Sequence, residues 1–153
     1  MKKLATIFAA TAMLFSTSAF AGETNETKAT VKVEKSFQKD FSKASNISWE
    51  KSNNVYIAHF DVNNVKIEAA YNEDGELVAT SRKFEAADLP LAVSLAISKQ
   101  YPGYDMAQTG EEITYERQTN YYINVGNDKE VLKLKCAVNG EISVDKKTKK
   151  ESL

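Results

Sequence analysis

The sequence predicts an α+β fold built from two tandem helix-plus-antiparallel-meander repeats. Three observations predict it. Val33, Phe37 and Phe41 recur every fourth residue, and Val93, Ile97 and Tyr101 repeat that stripe 60 residues further on. Alternating, strand-like segments follow each stripe. The segments close on Ala70-Tyr71-Asn72-Glu73-Asp74-Gly75-Glu76-Leu77 and on Lys135-Cys136-Ala137-Val138-Asn139-Gly140-Glu141-Ile142, which share a Gly-Glu-aliphatic ending 65 residues apart.

The N-terminus reads as an export signal. Met1-Lys2-Lys3 is basic, Leu4 to Phe15 is almost wholly apolar or small, and Ser18-Ala19-Phe20-Ala21 offers a small-x-small cleavage site. The apolar run is too short to span a bilayer. Residues 1–21 are therefore expected to be a signal peptide cleaved after Ala21, which places the mature chain in the periplasm with no stable membrane insertion. Residues 22–29 are expected to be a flexible polar leader, 30–86 the first repeat, 87–146 the second, and 147–153 a solvated basic tail.

Charge and cysteine content narrow the class. The chain has 20 Lys+Arg against 21 Asp+Glu, and 18 against 21 without Lys2 and Lys3. No basic stripe follows a helix or strand, so nucleic acid is a poor partner. The single cysteine, Cys136, excludes an intrachain disulfide. It alternates with Leu132, Leu134 and Val138, which points it into the core. The mature chain must then be stabilised by packing alone.

The elements follow in order. Thr30 or a near neighbour can cap a first helix that runs to about Ser42. Ile47 and Trp49 open a strand that ends at Ser52-Asn53-Asn54. Val55–Val62 and Val65–Tyr71 flank Asn63-Asn64, a two-residue hairpin signal because Asn tolerates positive φ. That turn sets Val62 opposite Val65, Phe60 opposite Ile67, Ala58 opposite Ala69 and Tyr56 opposite Tyr71, all on one apolar face. The other face receives Asp61 beside Lys66, His59 beside Glu68 and Ile57 beside Ala70. A slip of one residue would destroy both faces. Glu73-Asp74-Gly75 then makes a three-residue turn, with Leu77 expected beside Tyr71 and Ala79 beside Ala69. The acidic Asn72–Glu76 stretch lacks the ligand spacing and distal Glu of a calcium loop.

Asp88-Leu89-Pro90 marks the second helix start, with Asp88 as the expected cap, and Pro102-Gly103 ends it. Strands are expected around Ile113–Tyr115 and Tyr121–Val125, then at Val131–Val138 and Ile142–Val144. Pairing across Gly126–Lys129 sets Ile123 by Leu132 and Tyr121 by Leu134, and Ile142 falls by Cys136. Whether the two sheets run as one is left open.

The order Phe37-x3-Phe41-x2-Ala44-x4-Trp49, then Tyr56-x-Ala58-x-Phe60, Asp74-Gly75-Glu76-Leu77, Asp88-Leu89-Pro90 and Tyr101-Pro102-Gly103-Tyr104, resembles the PepSY-like, beta-lactamase-inhibitor-like exported proteins of Gram-negative bacteria. The resemblance covers nearly all of the mature chain. It implies helices packed on one sheet face and the other face left open. It does not carry beta-lactamase inhibition over, because fold does not fix function.

An enzyme is not expected. General acid-base or nucleophilic chemistry needs a positioned set of groups. One histidine, one core-facing cysteine and no metal-ligand spacing assemble none, and no cofactor or metal is expected. The favoured function is a non-enzymatic periplasmic protein-binding module, docking an envelope or periplasmic protein through the open sheet face, with the choice between inhibitor, sensor and chaperone left open. Its candidate residues are Ile57, His59, Asp61, Lys66, Glu68, Tyr122, Asn124 and Lys133. The alternative is a small apolar or peptide ligand held between helices and sheet, where Ala58, Ala69 and Ala79 would leave room.

Overall fold

The computed structural model describes residues 28–150. The expected signal peptide, its cleavage site and most of the polar leader lie outside the described residues. Ala29, assigned to that leader, is instead buried in the core against the first helix.

Helix α1 (Val31–Asp40) begins at Thr30, whose side-chain oxygen accepts the N–H of Val33 at 3.3 Å. Four antiparallel strands follow: β1 (Ser45–Ser52), β2 (Val55–Val62), β3 (Val65–Asn72) and β4 (Leu77–Glu85). A 3-10 turn at Ala86–Asp88 leads into α2 (Leu91–Gln100), then β5 (Asp105–Tyr115), β6 (Gln118–Gly126), β7 (Glu130–Ala137) and β8 (Ile142–Lys149). Asp88 does not cap α2. It sits in the 3-10 turn, and Pro90 takes the N-cap position without a side-chain bond.

The eight strands form one sheet in sequence order, because β4 pairs with β5 from Ala79↔Tyr115 to Glu85↔Thr109. The β2–β3 register is the expected one throughout, closed by Asn63 and Asn64 at φ 51° and 66°. Three expectations need correction. A bulge between Ala70 and Tyr71 keeps Leu77 beside Tyr71 but moves Ala79 beside Ala70, onto the opposite face. In the second half, Ile123 pairs with Leu134 and Tyr121 with Cys136, two residues from the expected register. The cause is Asn127, whose side-chain oxygen accepts the N–H groups of Lys129 and Glu130 and shifts the turn by one residue. A shift of two leaves every side chain on its expected face. Lastly, the basic run is not a tail: Lys146 to Lys149 pair along β7 as the second half of β8.

Both helices lie on one face, as strand alternation requires of their contacts. Val33 and Phe37 of α1 pack with Tyr56, Ala58, Phe60, Ala69 and Tyr71. Val93 and Ile97 of α2 pack with Phe84, Ile123, Val125, Leu132, Leu134 and Cys136. Each such side chain contributes about 1.5–3 kcal/mol by leaving water. Ala58 and Ala69 are fully buried beneath the aromatic rings, with Phe37 4.9 Å from Phe60 and 6.3 Å from Tyr71. They allow close approach of the helix rather than opening a groove. No helix among the described residues is long and apolar enough to cross a membrane.

Candidate functional site

The helix-free face spans all eight strands. Across β1 to β6 its central row is Ser48, His59, Glu68, Ser81, Ile113 and Asn120, each the register partner of the next. The alternation that buries Ala58 and Ala69 under α1 delivers His59 and Glu68 to this side.

His59 lies between two carboxylates. Its Nδ1 is 3.1 Å from Glu68 and its Nε2 is 3.5 Å from Glu50 on β1. The hydrogen bond to Glu68 is the largest cause that raises its pKa above the usual 6.5. Asp61 accepts from the Asn46 amide at 2.7 Å and pairs with Lys66 at 3.7 Å. Lys66 is almost wholly exposed, so that pair contributes little.

Ile57 was expected to be accessible here and is not. It is 3 % exposed, in a small apolar cluster with Ala70 and Ala79, against which Val55, Val78 and Tyr115 pack. The bulge that turned Ala79 to this side built the cluster, and Tyr115 completes it from β5. Ile57 therefore supports the face from within rather than offering contact.

In the second half, Tyr122 is the register partner of Lys135, and Asn124 of Lys133. The Lys133 ammonium stands 5.2 Å from the centre of the Tyr122 ring. Burial, followed by the charges of Asp145 and Glu111, raises the Tyr122 phenol above its usual pKa. A shallow pocket of roughly 190 Å³ opens here, lined by Lys83, Thr109, Gly110, Glu111, Tyr122, Ile123, Asn124 and Lys133. It lies where β5 bulges between Met106 and Gly110.

Seven of the eight expected residues are thus at least partly accessible on one face, in two groups separated by β4 and β5. Sequence reasoning missed what joins the groups. Ser81, Lys83 and Glu111 come to the face only through the β4–β5 pairing, and Ser81 Oγ donates to Glu111 at 3.0 Å.

The chemistry of the rest is quiet. Cys136 is fully buried, and burial pushes its thiol up to about 11, far from the thiolate a nucleophile needs. Among the described residues no three His, Cys, Asp or Glu side chains converge to hold a metal ion.

His59 carries the first prediction. It is the sole histidine in the chain, so one imidazole resonance reports it. Its NMR titration midpoint is expected above 6.5, and Glu68→Gln should return it towards that value. Because the folded-state pKa is raised, the imidazolium adds stability that is complete below about pH 6.5 and fades as pH rises through the raised midpoint. A wild-type midpoint at or below 6.5 would mean the two carboxylates do not hold the ring.

Comparison with known proteins places the fold. No family model and no curated protein matches the chain. Solved structures do. A BLIP-like protein from Bacteroides fragilis superposes with a TM-score of 0.69 at 17 % identity, covering 84 % of this chain and 93 % of its own. A DUF2874 family protein from Bacteroides ovatus gives 0.66 at 20 % identity, covering 80 % and 89 %. A protein from Bacteroides eggerthii, described as a candidate periplasmic protein, gives 0.65 at 21 %, covering 80 % and 90 %. The chain therefore has the BLIP-like, DUF2874-type α+β fold, and the resemblance read from the sequence is borne out at that level.

Proposed function

We propose that this chain is a non-enzymatic periplasmic protein-binding module that docks a partner protein through the helix-free face of its sheet. One observation carries the reading. An antiparallel face eight strands wide is left uncovered by helices, and it presents half-buried aromatic and charged groups on rigid strands rather than a uniformly solvated surface. Rigid presentation lowers the ordering cost of association. Inhibition is one outcome of such docking, when the partner's own site is what is covered.

The same reading takes the chain as two tandem copies of one unit. Gly75, at φ +73°, would carry a Cβ against Lys32 O and Ser36 Oγ of α1. Gly140, at φ +86°, would carry one against Ala92 O and Ala96 Cβ of α2, positions 60 residues further on. The helix ends match too: Phe41 and Tyr101 cap with φ −128° and −124°, each bonding back four residues. These parallels support duplication of a helix with a four-strand meander.

Site-specific photo-crosslinking in intact cells tests the docking face. A benzoylphenylalanine at Glu50 or Asn124 is expected to capture one partner protein, whereas one at Lys35 or Ser98, on the outer sides of the helices, captures none. Capture from the helix positions alone would refute docking through the sheet. The Lys66→Glu/Lys133→Glu variant, still folded, should lose the adduct.

A further inference from the structure

The helix-free face carries mostly carboxylates towards one end and mostly lysines at the other. Towards β1–β5 the carboxylates already have partners: Glu50 and Glu68 flank His59, Asp61 holds Lys66 and Asn46, and Glu111 accepts from Ser81. At the β6–β8 end, Lys133, Lys135 and Lys146 all stand on this face by strand alternation. Among the described residues none of the three forms an ion pair. Lys133 and Lys146 are direct register partners, and like charges set opposite each other destabilise a sheet. Asp145, at the bulge beside them, acts on Tyr122 but pairs with none of the lysines. The fold therefore sets three lysines without ion-pair partners beside or next to the Tyr122 strand position, at the edge of the shallow pocket, with Asp145 and Glu111 the carboxylates that act on the Tyr122 phenol.

We infer that this end of the face binds carboxylate side chains of the docking partner, with an aspartate or glutamate seated between Asn124, Tyr122 and Lys133. The inference rests on the docking reading and names the chemistry of its partner. A carboxylate suits the pocket, since the Asn124 amide and the Thr109 hydroxyl line it as hydrogen-bond donors beside the Lys133 ammonium. Glu111 lines it as well, and its charge opposes a doubly charged phosphate more than a singly charged carboxylate. An anionic bilayer laid on this face would also meet Glu50, Asp61 and Glu68. The complementary partner is a protein element, acidic where it meets β6–β8.

NMR titration of the isotopically labelled full chain tests this with a capped Asp/Glu hexapeptide, its Asn/Gln counterpart, inorganic phosphate and phosphatidylglycerol vesicles as probes. The acidic peptide is expected to move the amide signals of Gly110, Tyr122, Asn124, Lys133 and Lys135 in a saturable, salt-sensitive way, and its neutral counterpart to leave them in place. Lys133→Ala/Lys146→Ala should weaken the acidic peptide by about tenfold, each lysine contributing about two- to fivefold. Equal response to phosphate or vesicles would overturn the choice of a protein carboxylate. A response spread evenly over Lys35, Lys39 and Lys99 would overturn the site. A partner still crosslinked from Glu50 in the Lys133→Glu/Lys146→Glu variant would overturn this inference and leave docking through the sheet intact. Crosslinking from the helices alone would refute the docking reading itself.

Discussion

Phe37→Ala is expected to lower the free energy of unfolding by about 4 kcal/mol, the upper part of the range for a buried aromatic removed from a packed core. Phe37 is 2 % exposed and stands at the centre of the first core. Its ring meets Phe60 at 4.9 Å, Trp49 at 5.3 Å and Phe41 at 5.6 Å, the first two nearly edge-on. Edge-to-face pairs of this kind add about 0.5–1.5 kcal/mol beyond the area they bury. Beneath the ring lie Ala58 and Ala69, which have no side chain with which to fill the void. Collapse of the site would need α1 to descend onto the sheet, but the Tyr71 hydroxyl donating to Asp40 at 3.0 Å and the Gly75 turn against Lys32 and Ser36 hold its height. The measurement is urea unfolding followed through Trp49, the sole tryptophan and itself a neighbour of Phe37. A midpoint shift with unchanged slope is expected. A loss under about 1 kcal/mol would mean that the aromatic cluster repacks freely, contrary to the geometry.

The legibility of this chain depended on how local each signal was. The β2–β3 hairpin was readable to the residue, because Asn63-Asn64 admits positive φ and both faces are patterned. The β6–β7 register was off by two. Its turn is set by the Asn127 side chain, and Asn-Asp-Lys-Glu offers several placements that respect the same faces. The β5–β6 turn was invisible for a different reason. Glu116 and Arg117 adopt φ 49° and 64°, a conformation these residues rarely take, and only the strand pairing on either side imposes it. The end of β8 was missed because it is polar and exposed, and the early part of β5 because a bulge between Met106 and Gly110 breaks its alternation.

The candidate site divides along the same line. Asp61 with Lys66 and His59 with Glu68 are neighbours across one tight turn, so their pairing followed from the hairpin. Glu50 on the far side of His59, Ser81 with Glu111, and the burial of Ile57 under Tyr115 are tertiary facts. The first comes from the β1–β2 pairing, and the other two from a bulge at Val78 and a β4–β5 junction that spans the intervening helix. Neither leaves a mark in periodicity, since a bulge changes register through backbone geometry and not through composition.

Gly110→Ala is expected to destabilise the protein by about 2–3 kcal/mol, the cost of forcing an extra carbon into a packed core. The sign is the reverse of what propensity alone suggests, since alanine in a strand interior is normally preferred to glycine by about 0.5–1 kcal/mol. Gly110 is the register partner of both Phe84 and Ile123. A Cβ there would run into Phe84 Cζ and lie 2.7 Å from the Tyr122 carbonyl oxygen. The Phe84 ring lies over this glycine, buried, its centre 5.6 Å from that of Tyr121 in an edge-to-face pair, and it joins β4 to the core beneath α2. The carbonyl cannot yield without breaking the ladder, so the ring must. Moving it opens the junction that makes two four-strand halves into one sheet. Gly110→Ala/Phe84→Leu is expected to recover part of the loss, because the clash and the ring are one interaction seen from two sides. Thermal unfolding of the two variants decides it. If Gly110→Ala melts with the wild type, Phe84 has room to withdraw and does not hold the junction. If the double variant is instead worse by the full sum of both changes, the carbonyl and not the ring is what the alanine strikes.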